Sequence, residues 1–255
     1  MHNVDLDRVA VFRVETAACH RSMDSMKEES PEMYEEWQRN LRNTWHGSLV
    51  NTQDEQNSSD LTGLYAEFGR IVSVGISVYR PGKEEETDSI YSIAFTGDDE
   101  KRLLEATNRI IGKYSWAAGH NIKNFDVPYY SKRCIINGLK IPECINNTGK
   151  KPWDVRILDT KSIWQYGSMN NSQHSNVHTV CKVLGIENER DPDFGKKVTE
   201  LYYDRNFETI SSETTKGVTA EMKLFMRLGY FDVDVHGMKV NIQDPKMFIL
   251  DGSAQ

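Results

Sequence analysis

The chain lacks several things that would have narrowed its role at once. It has no run of apolar residues near the eighteen needed to span a bilayer, so no transmembrane helix is expected. Its four cysteines (Cys19, Cys134, Cys144 and Cys181) are scattered with no C-x-x-C pair, which excludes a compact zinc knuckle and reads as free thiols in a reducing compartment. The start, MHNVDLDRVAVF, has no basic residues leading into an apolar stretch, so it does not read as a secretory signal, and the expected location is cytoplasmic. Positive charge is in deficit, with 31 Lys and Arg against 38 Asp and Glu and a net charge of −7. That balance argues against a protein that coats duplex DNA through a broad basic surface, but not against one that grips a few nucleotides at a strand end.

The 255 residues, 38% hydrophobic and 27% charged, suffice for one α/β core. Val9 to Thr16 reads as a buried strand. Ser30-Pro31 opens a helix that places Met33, Trp37 and Leu41 at helical spacing. Residues 46–60 are polar and read as a surface loop. Arg70 to Tyr79 alternates, turns at Pro81-Gly82 and the acidic Glu84-Glu85-Glu86, and returns as Ser89 to Phe95, a hairpin in which Gly75 marks a close backbone approach or a bulge. An amphipathic helix over 99–111, a strand over 115–119, a helix over 126–137, a strand over 156–160 and a helix from Asn176 to Leu184 follow. The charged stretch 187–193 reads as an exposed connection. The last long helix is expected from Ser212 to Leu228, and the tail 230–255 shows no periodicity, which fits a late strand pair or an arm. Phe12, Phe125 and Trp153 read as core, with Phe125 near a cleft. Lys123, Lys132 and Arg133 read as solvated, and Asp159 as a hydrogen-bonding residue.

Three segments stand out together: Phe12-Arg13-Val14-Glu15-Thr16 on the first strand, Gly119-His120-Asn121-Ile122-Lys123-Asn124-Phe125-Asp126 from strand into helix, and the last helix around Glu213, Gly217 and Glu221. With LYAEFGRIVSVGISV (64–78), TGDDEKRLL (96–104), INGLKIP (136–142), GKKPWDVRILDT (149–160) and KVLGI (182–186), in that order, the chain resembles the 3′–5′ exonucleases related to the proofreading domain of family-B DNA polymerases, within the DEDD group. The resemblance runs from about Val9 to Gly229. It implies an α/β ribonuclease-H-like fold, a mixed and mostly five-stranded sheet flanked by helices, with residues 1–229 as the exonuclease-like domain and 230–255 as a tail. It also implies Mg²⁺ or Mn²⁺ as cofactor and a single-stranded nucleic acid or 3′ end, DNA in the first instance, as partner.

The chemistry of that group uses four carboxylates to hold two divalent ions about 3.5–4 Å apart across the scissile phosphate. Carried over residue by residue, Glu15 and Asp126 occupy retained carboxylate positions and are the metal ligands if any metal binds. Arg13 and Gly217 stand where the other two aspartates belong, and Glu213 stands at the tyrosine position. His120, Asn121, Phe125 and Thr16 fall where nucleic acid would be contacted. Arg13 places a permanent cation where a metal ligand should be, and its guanidinium is expected to pair with Glu15 and Asp126. Glu213, Gly217 and Glu221 share one helix face, so either glutamate could substitute for a lost ligand, although solvent-exposed charges are the plainer expectation for both. Three functions remain open: a pseudo-exonuclease that keeps a nucleic-acid cleft, an active exonuclease using Glu213 or Glu221, and a protein-interaction module on a degenerate scaffold.

Overall fold

A computed structural model describes residues 4–43, 60–82, 87–168, 176–229, 238–242 and 248–250. The expected loop over 46–60, apart from Asp60, and the acidic turn 84–86 lie outside the described residues. The centre is a seven-stranded sheet in the order β5-β4-β1-β2-β3-β6, with β7 also pairing β3. Five of the strands are those expected: β1 (Val9–Ala18), β2 (Gly69–Arg80), β3 (Ser89–Gly97), β4 (Trp116–Gly119) and β5 (Ile157–Asp159). The other two, β6 (Lys239–Ile242) and β7 (Ile249–Leu250), come from the tail and each pairs with β3, in parallel, rather than with the other. β1 runs antiparallel to β2 and parallel to β4, which is parallel to β5.

The helices are α1 (Met23–Glu29), α2 (Pro31–Asn43), α3 (Glu100–Ile111), α4 (Asp126–Ile136), α5 (Thr160–Gln165), α6 (Val177–Val183), α7 (Val198–Tyr203) and α8 (Phe207–Leu228). Four of them, α1, α5, α6 and α7, are six or seven residues long, and of these only α6 was expected, from its Asn176 cap and Gly185. Such a length is too short for an apolar period to stand out in sequence. Helix α8 begins five residues before its expected start, with the Asn206 side chain accepting from the backbone N–H of Thr209.

Alternation along β1 decides what faces what. Ala10, Phe12 and Val14 point into the larger core with Val74, Ile76, Leu103, Leu104 and Tyr130. Val9 and Val11 point the other way and pack with Val218, Met222, Phe225 and Met226 of α8. The same parity sends Arg13 and Glu15 toward α8. Gly75 of β2 lies directly opposite Arg13, and a Cβ there would sit 2.9 Å from Thr214 Cγ2 and 3.1 Å from Val218 Cβ. Of the two readings for Gly75, close approach is the one realised, and it lets α8 lie tight on the sheet. The irregularity in register falls instead between Glu15 and Thr16. Two expectations about side chains are corrected. Trp153 is 69% exposed rather than core. Arg133 is buried rather than solvated, because Glu100 meets its guanidinium at 2.8 and 2.5 Å. Phe12 is buried, and Phe125 is half-buried against Tyr129.

A carboxylate pocket filled by two arginines

Four of the expected site residues, Arg13, Glu15, Asp126 and Gly217, meet with Glu221 at one place, between the end of β1, the start of α4 and the middle of α8. Glu15 is 4% exposed, Asp126 7% and Glu221 4%. Arg13 Nε donates to Glu15 Oε1 at 2.9 Å, and Arg13 Nη1 donates to Glu221 Oε1 at 2.9 Å. A second guanidinium enters from the loop before α7: Arg190 Nη1 donates to Glu15 Oε1 at 2.7 Å and Nη2 to Glu15 Oε2 at 3.2 Å. Its plane also lies over the Phe194 ring, 5.0 Å from the centroid. The expected Arg13 to Asp126 pair is not formed. Arg13 turns to Glu221 instead, and Asp126 Oδ1 accepts the backbone N–H of Val14 at 2.9 Å. Glu221 is therefore inside the pocket, against the expectation of an exposed charge, because Arg13 supplies the counter-charge that makes its burial tolerable.

Gly217 is the reason both arginines fit. A Cβ at this position would lie 2.6 Å from Arg13 Nη1 and 2.9 Å from both Cδ and Nη1 of Arg190. A glycine in a helix interior costs about 1 kcal/mol relative to alanine, and here the volume it frees is occupied by guanidinium. Glu213, at the tyrosine position, does not enter the pocket. Its carboxylate accepts the backbone N–H of Asp191 at 2.8 Å and pairs with Lys216 at 2.6 Å. It thus anchors the loop residue next to Arg190. Arg13, Gly217, Glu213 and Arg190 form one interlocking set: a cation in place of a ligand, a space, an anchor and a second cation.

The stretch 187–193 was expected to be an exposed connection, and Arg190 within it is buried. Nothing in sequence marks it. It sits among charged neighbours and is specified by a partner 175 residues away.

The electrostatics follow from this packing. Burial would raise the Glu15 carboxyl, but Arg190 and then Arg13 outweigh it and hold the group below its ordinary value. Asp126 is pushed up to about 7 by burial first and then by Glu221, with only the Val14 N–H and Arg13 in opposition. Glu221 is also raised, by burial, with Arg13 and Arg190 compensating in part. Arg13 stays protonated, the pull of Glu15 and Glu221 exceeding the cost of its burial.

Around the pocket, the remaining expected residues build the turn more than they offer free groups. Asn121 has φ 62° and its N–H donates to Asp159 Oδ1 at 2.9 Å. Its side-chain oxygen accepts from Asn124 and Lys161. His120 Nδ1 lies 3.0 Å from Thr160 Oγ1, and the His120 backbone reaches Glu221. Asp159 also takes the N–H groups of Lys123 and Lys161, the hydrogen-bonding role expected of it. Thr16, just past the irregularity in β1, is within reach of the Tyr129 hydroxyl.

The donor set does not fit a two-metal centre. Both oxygens of Glu15 are engaged by guanidinium, Arg13 and Gly217 stand at two positions where carboxylates were expected, and among the described residues no group of three or more His, Cys, Asp or Glu side chains is disposed to hold a metal ion. Among the same residues no helix is long and apolar enough to cross a membrane.

The fold is that of a ribonuclease-H-like exonuclease domain. The family B DNA polymerase from the hyperthermophilic archaeon Pyrobaculum calidifontis superposes with a TM-score of 0.51 at 16% identity, over 86% of this chain and 24% of that one. At that identity the likeness concerns the fold, and this chain spans about a quarter of the polymerase. Residues 63–247 match the family described as predicted 3′-5′ exonucleases related to the exonuclease domain of PolB, and the chain belongs to that family. No curated protein matches it.

Proposed function

We propose that this protein is a nucleic-acid-binding member of the exonuclease family in which phosphodiester hydrolysis is lost or severely weakened. Residues 1–229 form its exonuclease-like unit and 230–255 a tail. The observation that carries this reading is the pair of guanidiniums, Arg13 and Arg190, lying in the carboxylate pocket with Glu15 and Glu221. A guanidinium can neutralise carboxylates and attract a phosphate, as a divalent ion does. It cannot acidify a bound water, because it offers no coordination site. The family implies Mg²⁺ or Mn²⁺, and the two guanidiniums supply in covalent form about half the charge that two such ions would bring. The partner in this reading is the 3′ end of a single strand, DNA in the first instance, bordered by Thr16, His120, Asn121 and Phe125.

The test is Mn²⁺-dependent shortening of a 5′-labelled single-stranded oligonucleotide, with the protein beside its Arg13→Asp, Gly217→Asp, Arg190→Ala triple variant. Arg190→Ala is included because an aspartate side chain at 217 would collide with the Arg190 guanidinium. The expected result is no shortening by the unaltered chain and 3′-end shortening by the variant. Degradation by the unaltered chain at about 1 per second or faster, typical of enzymes, overturns the proposal. It would turn attention to Glu221, the glutamate inside the pocket, as a substitute ligand.

A further inference from the structure

A cavity of about 420 Å³ opens between α5, α6 and the last turn of α8, lined by Ile163, Trp164, Tyr166, Leu184, Arg227 and Leu228. Three observations about it converge. The first is aromatic. Trp164 packs against the small core of Val180, Leu224 and their neighbours. Tyr166 stands 83% exposed at the cavity wall, held in a left-handed conformation with φ 51° that a bulky residue adopts only at a cost.

The second is charge. Across 160–168, 176–186 and 222–229 the sequence carries Lys161, His178, Lys182, Lys223 and Arg227, and neither Asp nor Glu. Of these, Arg227 lines the cavity, and Lys223 lines a neighbouring one with Glu187 and Glu189. Glu187 lies just beyond the second stretch and pairs with Lys223, while Lys182 and Arg227 are exposed.

The third is continuity with the arginine pocket. Asp159, which holds the Asn121 turn, caps the first turn of α5, and Thr160 is at 3.0 Å from His120, whose backbone meets Glu221. Along α8, Gly217 and Leu228 are eleven residues apart, roughly 16 Å at 1.5 Å per residue.

We propose that this cavity is a stacking subsite for a nucleobase of a single strand whose 3′ end lies at the Arg13–Arg190 pocket. Aromatic faces beside a cation, here Trp164 and Tyr166 with Arg227, are what sequence-tolerant single-strand binding uses. At about 3.4 Å of rise per stacked nucleotide, the separation spans on the order of five nucleotides, fewer if the strand is extended. The inference rests on the nucleic-acid reading above.

The test compares binding of a single-stranded oligonucleotide of about ten nucleotides, and of a dinucleotide too short to span the distance, without added metal and at low salt. The proteins are the unaltered chain, Tyr166→Gly, which suits the left-handed backbone and leaves the fold at little risk, and Arg227→Gln. Loss of affinity for the longer strand, between about fivefold and a hundredfold for Tyr166→Gly, with dinucleotide binding unchanged, supports the subsite. If the unaltered chain binds the longer strand and both variants bind it equally well, the subsite is overturned while the nucleic-acid reading stands. If the unaltered chain binds neither ligand, that reading falls and the subsite with it.

Discussion

Two buried ion-pair networks in this molecule invite comparison, one between α3 and α4 and one between β1 and α8. In the first, Glu100 accepts from Arg133 Nε and Nη2, from the backbone N–H of Ile71 at 2.7 Å and from Asn137 at 3.0 Å, while Arg133 Nη1 donates to the carbonyl of Ala66. One anion meets one cation, and the carboxylate is fully engaged. In the second, Arg13 and Arg190 face Glu15, Glu221 and Asp126. Three acids meet two bases, and Asp126 receives a single backbone donor. The first network is arranged as a structural pair. The second holds one carboxyl more than its two guanidiniums can balance.

The largest expected effect sharpens this contrast. Arg190→Ala and Arg133→Ala each leave a buried carboxylate without its principal partner, so each is expected to destabilise by about 3–5 kcal/mol, read from urea unfolding midpoints. Millimolar Mn²⁺ is expected to restore part of the loss in Arg190→Ala, because removing that guanidinium frees Glu15 Oε2 for a cation, and none of it in Arg133→Ala, where Glu100 has one carboxylate and no acidic neighbour in its network. Equal response of the two variants to Mn²⁺ would erase the distinction.

A middle-sized effect concerns pH. The folded pKa of Asp126, about 7, lies above the ordinary value of 3.8. The folded chain therefore binds this proton more tightly than the unfolded chain, and stability falls as pH rises from about 4 to about 7. The upward shift of Glu221 acts in the same direction, and the downward shift of Glu15 acts against it at lower pH. Asp126→Asn keeps an oxygen for the Val14 N–H and removes the excess acid. It is expected to be more stable than the unaltered chain at pH 8 and close to it at pH 4, measured by denaturant midpoints at both. Parallel pH profiles for the two proteins would contradict the excess-carboxyl account.

The smallest effect tests the interlock. Gly217→Ala combines a helix-propensity gain of about 1 kcal/mol with a clash of about 1–3 kcal/mol, so a net loss of about 1 kcal/mol is expected. In the Arg190→Ala background the two contacts at 2.9 Å disappear while the one at 2.6 Å with Arg13 Nη1 remains, and the same substitution is expected to cost less than in the unaltered chain. A double-mutant cycle by urea unfolding shows whether the two positions are coupled.

The sequence carries the frame of this molecule well where signals are local. The alternation over 70–79, the turn at Pro81-Gly82 and the helices closed by Gly112 and Gly138 each state their structure within a dozen residues. Family spacing likewise locates Arg13, Glu15, Asp126 and Gly217, which the fold brings together. What it does not carry is pairing at long range. Arg190 has no pattern of its own, and Glu221 looks like any outward helix charge until Arg13 is placed opposite it. The anchoring use of Glu213 depends on where a loop of irregular backbone passes. Each is decided by tertiary geometry, and no window along the chain contains both partners.

The tail strands have a consequence of a different kind. Without β6 and β7, the long strand β3 would present its backbone N–H and C=O groups along an open border, a template on which another chain can add. By laying two short parallel strands there, the tail seals that border, and the opposite border ends in β5, only three residues long. A chain shortened before Lys239 would keep the arginine pocket and lose this guard, and self-association through β3 would be its characteristic failure.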